Sequence, residues 1–525
     1  MNVLDKIIAT VAPETALKRA AARARLQALN FYSGHGYGRH GASYGRKSLI
    51  GWQTSGRSAD EDIVDNIETL RERSRDLYMG VPLATGAIKT IRTNVVGSGL
   101  ALSAQIDAEY LGLSEEEAQA WEANVEREWR LWAESVECDA ERRQNFYQLQ
   151  ALILLSALLS GDVFITLPYI KRQGSAYDLR VGLIEADRVC NPTLTPAGDR
   201  NIVGGIEVGE YGETVAVWVA KHHPNVAPRT VSDYNQEWKR VQAFGSRTGR
   251  RNILHVMADV ERPAQRRGVP LLAPVIEALK QLGRYTDAEL MAAVVSSMFT
   301  VFVRSERQMT AGPLGQGLPP GAQVDPDPAA YEMGNGAIVT LDPGESVDFA
   351  DPKRPNSAFD KFVESICRSV GAALELPYEL LVKHFTASYS AARASLLEAW
   401  KMFRMRREWL ISGVCQPVYE EWLTEAVLKG RIEAPGFFAD PAIKAAWCGA
   451  EWFGDSQGQL DPLKEANAAK VRVEEGFSTR QRETAELTGM QYSRVALTRA
   501  REEAQRRADG WAVDTPAISE EVKDE

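Results

Sequence analysis

Apolar positions along the chain recur first at helical spacing, then at strand spacing, then at helical spacing again. After Ser58-Ala-Asp60, where Ser58 or Asp60 can cap a helix, Ile63, Ile67, Leu70 and Leu77 follow near helical spacing. Gly80-Val-Pro82 ends that helix, and a second runs from about Leu83 to Val95, closed by Gly97-Ser-Gly99. A third, rich in Glu and Trp, is expected from Ser114 to Glu134, and a fourth from Asn145 to Leu159. Period two then takes over. Asp162–Tyr169, Leu179–Glu185, Ile206–Val208, Val215–Val219 and Ile253–Val256 read as strands, with Glu210-Tyr-Gly212-Glu213 as a turn. From Pro270 the helical period returns at Leu272, Val275, Ile276, Leu279 and Leu282, and the helix can extend to Ser297 before a β-like Phe299–Val303.

Nine of the seventeen residues from 312 to 328 are Gly or Pro, which marks an irregular loop or tip. Short strands (Ala337–Leu341, Ser346–Phe349) follow, then a helix from Ser357 to Leu374, a loop near Pro377, and a long helical stretch from about Tyr389 to Leu428. Phe403, Leu410, Val414, Val418 and Trp422 mark one face of that stretch. Pro417 lies inside it, and a proline there removes a backbone donor, so a kink is expected. Helices are also expected at Pro462–Val473, Arg480–Leu487 and Ser493–Ala508, and the tail from Asp509 reads as disordered. The fold class is therefore α+β, mostly helical, in several parts, with no internal repeat.

Composition narrows the function. The 525 residues are 44% hydrophobic and 25% charged, as in ordinary globular proteins. No apolar run reaches transmembrane length, and the N-terminus lacks an apolar signal-peptide core, which argues against a membrane or secretory route. Five scattered cysteines without CxxC spacing argue against a disulfide framework or a zinc site and fit a reducing compartment. Net charge is −10, which disfavours a protein that grips nucleic acid over a broad surface. The charge is uneven: residues 1–57 hold nine basic against two acidic residues around a Gly/Tyr/His stretch, whereas the last twelve residues are acidic. The first segment reads as a flexible arm, or as one that orders on a neighbouring subunit or on nucleic acid.

The chain has no GxxxxGK[ST], HExxH, GxSxG or Rossmann-type glycine fingerprint. An ATP-driven motor is therefore disfavoured. His222-His223 are adjacent, and neighbours after a strand point apart, so a surface loop is the simpler reading than a metal pair. Glu115-Glu-Glu117 stands at a helix start, where the dipole favours carboxylates. The tryptophans read as core or interface anchors. No catalytic residue, metal site or cofactor site emerges, and the residues alone point to a non-enzymatic structural protein.

In this setting an ordered series of motifs resembles the portal proteins of lambda-type tailed bacteriophages. It begins with Ser58-Ala-Asp60, Leu70-Arg-Glu-Arg-Ser-Arg-Asp76 and Asn94-Val-Val-Gly97. Gly161-Asp162, Asp187-Arg188-Val189, Ile253-Leu-His-Val256 and Arg267-Gly-Val-Pro270 follow. The most specific part is Leu376-Pro-Tyr-Glu-Leu380 with Ser388-Tyr-Ser-Ala-Ala-Arg-Ala-Ser395 and Trp400. Trp447, Trp452-Phe-Gly454, Asp461-Pro-Leu-Lys-Glu465 and Glu475-Gly-Phe-Ser-Thr479 complete it. The N-terminal arm and the acidic tail lie outside the match.

The resemblance implies a dodecameric ring at one capsid vertex, in the virion, assembled in the host cytoplasm. It implies a channel for double-stranded DNA in packaging and ejection. The implied partners are further copies of the chain, the terminase large subunit, a head–tail connector or head-completion protein, and the major capsid protein or scaffold, with no cofactor and no membrane. It also implies a wing (58–265), a first stem helix (266–299), a clip (300–352), a second stem helix (353–380) and a tunnel loop (381–391). A kinked wing helix (392–434), a crown (435–508) and a tail (509–525) follow. Lys383, His384, Thr386, Ser388 and Tyr389 of the tunnel loop would meet DNA, and Pro417 would redirect the wing helix. Twelve copies would carry about −120 in total, so that a phosphate backbone slides rather than sticks. The rival readings are another head protein, such as a scaffold or minor head protein, and an enzyme of unfamiliar type. The β-region and twelve tryptophans speak against a scaffold.

Overall fold

The structure is a computed structural model. It describes residues 21–22, 47–49, 52, 56–192, 201–225, 237–297, 301–305, 345–349, 359–384, 389–458, 461–490 and 492–509. The chain forms two units, Met1–Ser58 and Ala59–Glu525. In the first, the Trp52 N–H donates to the Leu49 carbonyl at 3.2 Å. All that follows concerns the second.

The expected first helix is two: α1 (Ala59–Val64) and α2 (Ile67–Gly80). Asn66 divides them, because its side-chain amide donates to the Asp62 carbonyl at 2.9 Å and competes with continuation of the helix. Pro82 sits in the first turn of α3 (Pro82–Val95), where its missing N–H costs nothing. A strand that periodicity missed, β1 (Ala101–Ala104), and a one-turn helix α4 (Ala108–Leu111) come next. The next two helices stand where expected. α5 (Glu115–Ala133) starts at a capping box of Ser114 and Glu117, and α6 (Phe146–Ser160) at one of Asn145 and Gln148.

The β-region forms two antiparallel sheets. β2 (Asp162–Thr166) is central, between β3 (Gly182–Ile184) and β8 (Ile253–Met257). The other sheet runs in the order β4 (Ile202–Val203), β5 (Ile206–Val208), β6 (Thr214–Ala220), β7 (Trp238–Gln242). β4 and β7 were not expected, being short or half polar. Two of the three expected strands in the first sheet are shorter than expected, since beyond Thr166 only a bridge joins Tyr169 to Leu179. A small core of Phe164, Val189, Ile206, Val217, Val219, Ala243 and Ile253 holds the sheets together.

α7 (Ile276–Ser297) ends at the expected residue. β9 (Val301–Ser305) and β10 (Glu345–Phe349) form an antiparallel pair. The Gly/Pro-rich segment and the strand expected at 337–341 lie outside the described residues. After α8 (Phe359–Ala373), the loop near Pro377 is only four residues, because α9 (Tyr378–Val382) follows at once. α10 (Tyr389–Leu410) passes into α11 (Gln416–Leu428) through a π-helical turn, Ile411–Cys415. There the Gln416 N–H donates to the Ile411 carbonyl, five residues back. The widened turn comes directly before Pro417, whose ring would crowd an ordinary α turn.

One large core joins α2, α3, α5, α6, the start of α7, α8, α10 and α11. At its centre Trp129 meets Phe146, Tyr419, Trp422 and Trp452 edge-on, with ring centroids 5.2–5.8 Å away. Trp452 belongs to β11 (Ala450–Phe453), which pairs antiparallel with β1 across about 350 residues, Leu102 opposite Trp452. The stretch expected to open the crown is thus bound to the first part of the chain, with α12 (Pro441–Trp447) beside α4. The last helices are α13 (Pro462–Glu474), α14 (Arg480–Thr488) and α15 (Tyr492–Ala508). Among the described residues no helix is long and apolar enough to cross a membrane.

Candidate functional site: a buried charge node and an exposed loop

Gly161 ends α6 with φ +88°, and Asp162 opens β2 immediately after it. The Asp162 side chain is wholly buried. Its Oδ1 accepts from Arg71 Nη2 at 2.7 Å and Arg267 Nη2 at 3.2 Å. Its Oδ2 accepts from Arg267 Nε at 2.7 Å and from the Gly268 N–H at 3.1 Å. His255 Nε2 lies 3.2 Å from the same oxygen. Facing an ionised carboxylate, that nitrogen must carry the proton. His255 in turn stacks on Phe164 (4.3 Å, 6°), and Arg267 covers the same ring.

Two guanidinium groups against one carboxylate would leave a buried positive charge. Backbone carbonyls absorb it: Arg71 Nε reaches Ser160 O at 2.8 Å, and Arg267 reaches Ala186 O at 2.8 Å and Val189 O at 2.7 Å. Burial alone would raise the Asp162 carboxyl, but Arg267, Arg71 and the His255 hydrogen bond outweigh it and hold it well below the ordinary carboxylate range. Burial, then the like charge of Arg267, brings Arg71 down to about 10, so it stays protonated at neutral pH.

The backbone approach is equally specific. A Cβ on Gly268 would lie 2.0 Å from the Gly161 carbonyl oxygen, and one on Gly161 would lie 2.2 Å from that of Gly268. Only glycine at both positions lets the strand start reach the Arg267-Gly268 segment. The node therefore ties together α2, the α6–β2 junction, the turn at Ala186–Arg188, β8 and the chain leading into α7. It is saturated with hydrogen bonds that hold these parts together.

Beside it, Arg75 contacts Asp187 and lies 3.5 Å from Glu185. His223 Nε2 is 3.9 Å from Asp187, so Glu185, Asp187 and His223 bring three possible metal donors together. Arg75 already supplies the positive charge those carboxylates need. Of the adjacent histidines, only His223 is in this group, as expected for neighbours that point apart.

The candidate DNA loop is placed in part. Lys383 ends α9 in the left-handed conformation (φ 55°), its N–H and that of His384 both donating to the Glu379 carbonyl. Lys383 and His384 are exposed. Thr386 and Ser388 lie outside the described residues, and Tyr389 is the first residue of α10. The loop is thus shorter than 381–391, since Leu381 and Val382 are helical at one end and Tyr389–Ala391 at the other. Glu375, at the other end of α9, is also left-handed (φ 56°). The loop and the node are separate features.

The node's residues are not among the site candidates of the sequence, although Arg71, Asp162, His255 and Arg267 all stand in the motifs quoted above. The signal was an aspartate opening an apolar strand directly after a glycine, in a chain where an unpaired buried carboxylate would be costly.

Comparison with known proteins agrees with those motifs. The family described as phage portal protein, lambda family, matches residues 45–407. Portal protein B of Escherichia phage lambda is 27% identical over 90% of both chains. The portal protein of Escherichia phage N15 is 27% identical over 90% of this chain and 91% of its own. Among solved structures, the neck of an empty gene transfer agent particle computed with C6 symmetry aligns with 84% of this chain and 97% of its own, at 13% identity and a TM-score of 0.47. With the family match covering more than half of its length, and the node motifs inside the matched range, the chain belongs to the lambda family of phage portal proteins.

Proposed function

We propose that this chain is the subunit of a twelvefold portal ring at one vertex of a phage capsid, through which double-stranded DNA enters during packaging and leaves at ejection. The observation that carries this reading is the family match over residues 45–407, extended by the lambda portal protein over 90% of the chain. The ring is a structural part of the virion, assembled in the host cytoplasm. The sequence has no phosphate-binding loop, so ATP chemistry falls to a separate terminase large subunit docked on the clip. A head–tail connector replaces the terminase later, and the major capsid protein or scaffold surrounds the wing. Negative-stain microscopy of the purified protein tests this: rings with a central hole, inert towards ATP, are expected. Monomers alone at micromolar concentration would overturn it.

Within the ring, the exposed Lys383 and His384, with Thr386, Ser388 and Tyr389, form the DNA-facing loop. Each lysine meets a phosphate transiently, so contact around the ring is weak and distributed. Lys383→Glu adds a ring of negative charge at the narrowest point. Like-charge juxtaposition of this kind costs several kcal/mol, so infectious titre should fall by about tenfold or more while ring assembly is unchanged. Unchanged titre and packaged DNA length from rings carrying Lys383→Glu would remove this loop from the DNA path.

Pro417 sets the direction of the α10–α11 run. Pro417→Ala restores a backbone donor and removes the ring that crowds an ordinary α turn, which loosens the direction of α11 while its buried face stays in the core. The variant chain should differ in stability by less than about 1 kcal/mol, as for other proline exchanges at tolerant positions. It should close into rings poorly. Rings of normal diameter and yield would show that the proline has no such role.

A further inference from the structure

The large core has no member beyond Trp452 among the described residues. The chain leaves that body at Asp455, which is firmly held. Its carboxylate accepts from the Ser98 N–H at 2.9 Å and from the Ser98 hydroxyl at 2.8 Å, and Arg407 Nη2 donates to its carbonyl at 3.0 Å. Arg407 in turn donates to the Val95 carbonyl at the end of α3, at 2.9 Å. The next three residues, 456–458, have no regular structure, and no hydrogen bond joins them to the described residues. Gly458 is left-handed (φ 76°).

Beyond them, α13, α14 and α15 are tied to one another. Arg472 of α13 donates twice to the buried Glu483 of α14, at 2.8 and 2.6 Å, and these bonds hold that carboxyl below its ordinary range. The Arg472 carbonyl accepts from the Phe477 and Ser478 N–H groups, which fixes the turn between the two helices. Apart from Glu483, these helices bury only Ala469 and Ala485 among the described residues. Towards the body lies a groove of about 1250 Å³, with α10 and β11 on one wall and α13 and α14 on the other. At its rim Arg404 is 3.9 Å from Glu486, an exposed pair of the kind that contributes little. Gly489, just after α14, rests on the exit from β11: a Cβ there would lie 3.3 Å from the Gly454 carbonyl oxygen and 3.4 Å from Asp455 Cα.

We propose that α13–α15 form one rigid lobe that swings about residues 456–458 and so opens and closes this groove, with Arg404 and Glu486 as a weak latch. Two parts of a chain move relative to each other unless a large apolar interface joins them, and here a groove stands where that interface would be. A hinge needs a few irregular residues between rigid ends, which Asp455 and α13 supply. Gly489 against Gly454 is the pivot. Closing is chemically compatible, because both walls carry apolar side chains (Leu396 and Leu397 on α10, Ala468 and Leu487 on the lobe) and the charges lining them nearly balance. The expected crown (435–508) is therefore two parts: up to Asp455 it belongs to the body, and from α13 on it moves. This inference goes beyond the ring reading and does not rest on it. In a ring, it lets the C-terminal end of each copy shift while the core stays fixed.

Distances between paired spin labels in the full-length protein test it. Hinge motions take microseconds to milliseconds, and a frozen sample retains their spread of positions. Cys190, the half-buried native thiol, is changed to Ser; the other four are buried. One pair spans the groove, Leu397→Cys with Ala468→Cys, and a reference pair lies within the lobe, Leu463→Cys with Met490→Cys; all four side chains are exposed. Labelled chains are diluted with unlabelled ones, so that distances within one chain are read. The distribution across the groove should be at least about twofold broader than that of the reference pair. Arg404→Glu sets like charges at the rim and should shift it to longer distances. A distribution across the groove as narrow as the reference would overturn the hinge, and an equally broad reference would overturn the rigid lobe. No shift with Arg404→Glu would overturn the latch.

Discussion

Asp162→Ala is expected to destabilise the chain by about 3–5 kcal/mol, the range for removing one partner of a buried ion pair. Arg71 and Arg267, both almost fully buried, would lose the carboxylate each bonds directly. The Gly268 N–H and His255 would lose an acceptor as well. The damage should not be local, because the node joins α2, the β-region and the start of α7. Thermal unfolding compared at one protein concentration measures the loss, since assembly itself shifts the transition. A midpoint within a degree or two of the parent would show that the node contributes little. The pH dependence gives an independent check. The Asp162 carboxyl is held below its unfolded-chain range, so its stabilisation is fully present above the unfolded value, about 3.9. It is lost progressively as pH falls from there towards the folded value. The parent should therefore lose stability on acidification below about pH 4 faster than Asp162→Asn. Other depressed carboxyls, such as Glu207 and Glu483, are common to both proteins and cancel in the difference.

Trp129→Ala is the second change with a large effect, about 3–5 kcal/mol for a fully buried tryptophan. Trp129 is 1% exposed and is the ring that all of Phe146, Tyr419, Trp422 and Trp452 pack against. Those four come from α6, α11 and β11, so the cavity would open where the two ends of the described fold meet. Among the described residues the Trp129 Nε1 has no hydrogen-bond partner, so the loss is one of packing rather than polarity. Trp129→Phe should accordingly be much milder than Trp129→Ala. Denaturant unfolding of the two variants separates the cases: equal losses would mean that the ring size is irrelevant and that the centre of the core lies elsewhere.

Most helices and their starts follow from local spacing and capping residues. Ser114 with Glu117 and Asn145 with Gln148 are capping boxes closed within four residues, so a local reading finds them. The helical period from Leu272 to Leu282 runs through a 3-10 turn (Ala273–Val275) into α7, and the long run around Pro417 through the π turn from α10 into α11, so both are legible as local spacing. The family resemblance was legible for the same reason, since its motifs are contiguous words. Lys383 and His384 follow α9, a short helix that local spacing did not predict.

The remaining features rest on pairs of residues far apart in the chain, which no local pattern reveals. β1 and β11 are four-residue strands whose period is too short to read, and each exists through a partner about 350 residues away. The charge node closes over 91 residues from Arg71 to Asp162 and 105 from Asp162 to Arg267. Nothing in the local spacing of a single aspartate or arginine distinguishes a buried, ion-paired group from a solvated one. What distinguishes them is desolvation, which depends on what covers the residue: here α2, the α6–β2 junction, the turn at Ala186–Arg188, β8 and a pair of glycines whose backbones touch. The π turn was half legible, since Pro417 announced a break in the hydrogen-bond ladder, but a kink and a widened turn both accommodate it. Packing chose the widened turn, with Val414, Cys415 and Val418 all fully buried against the core on either side of it.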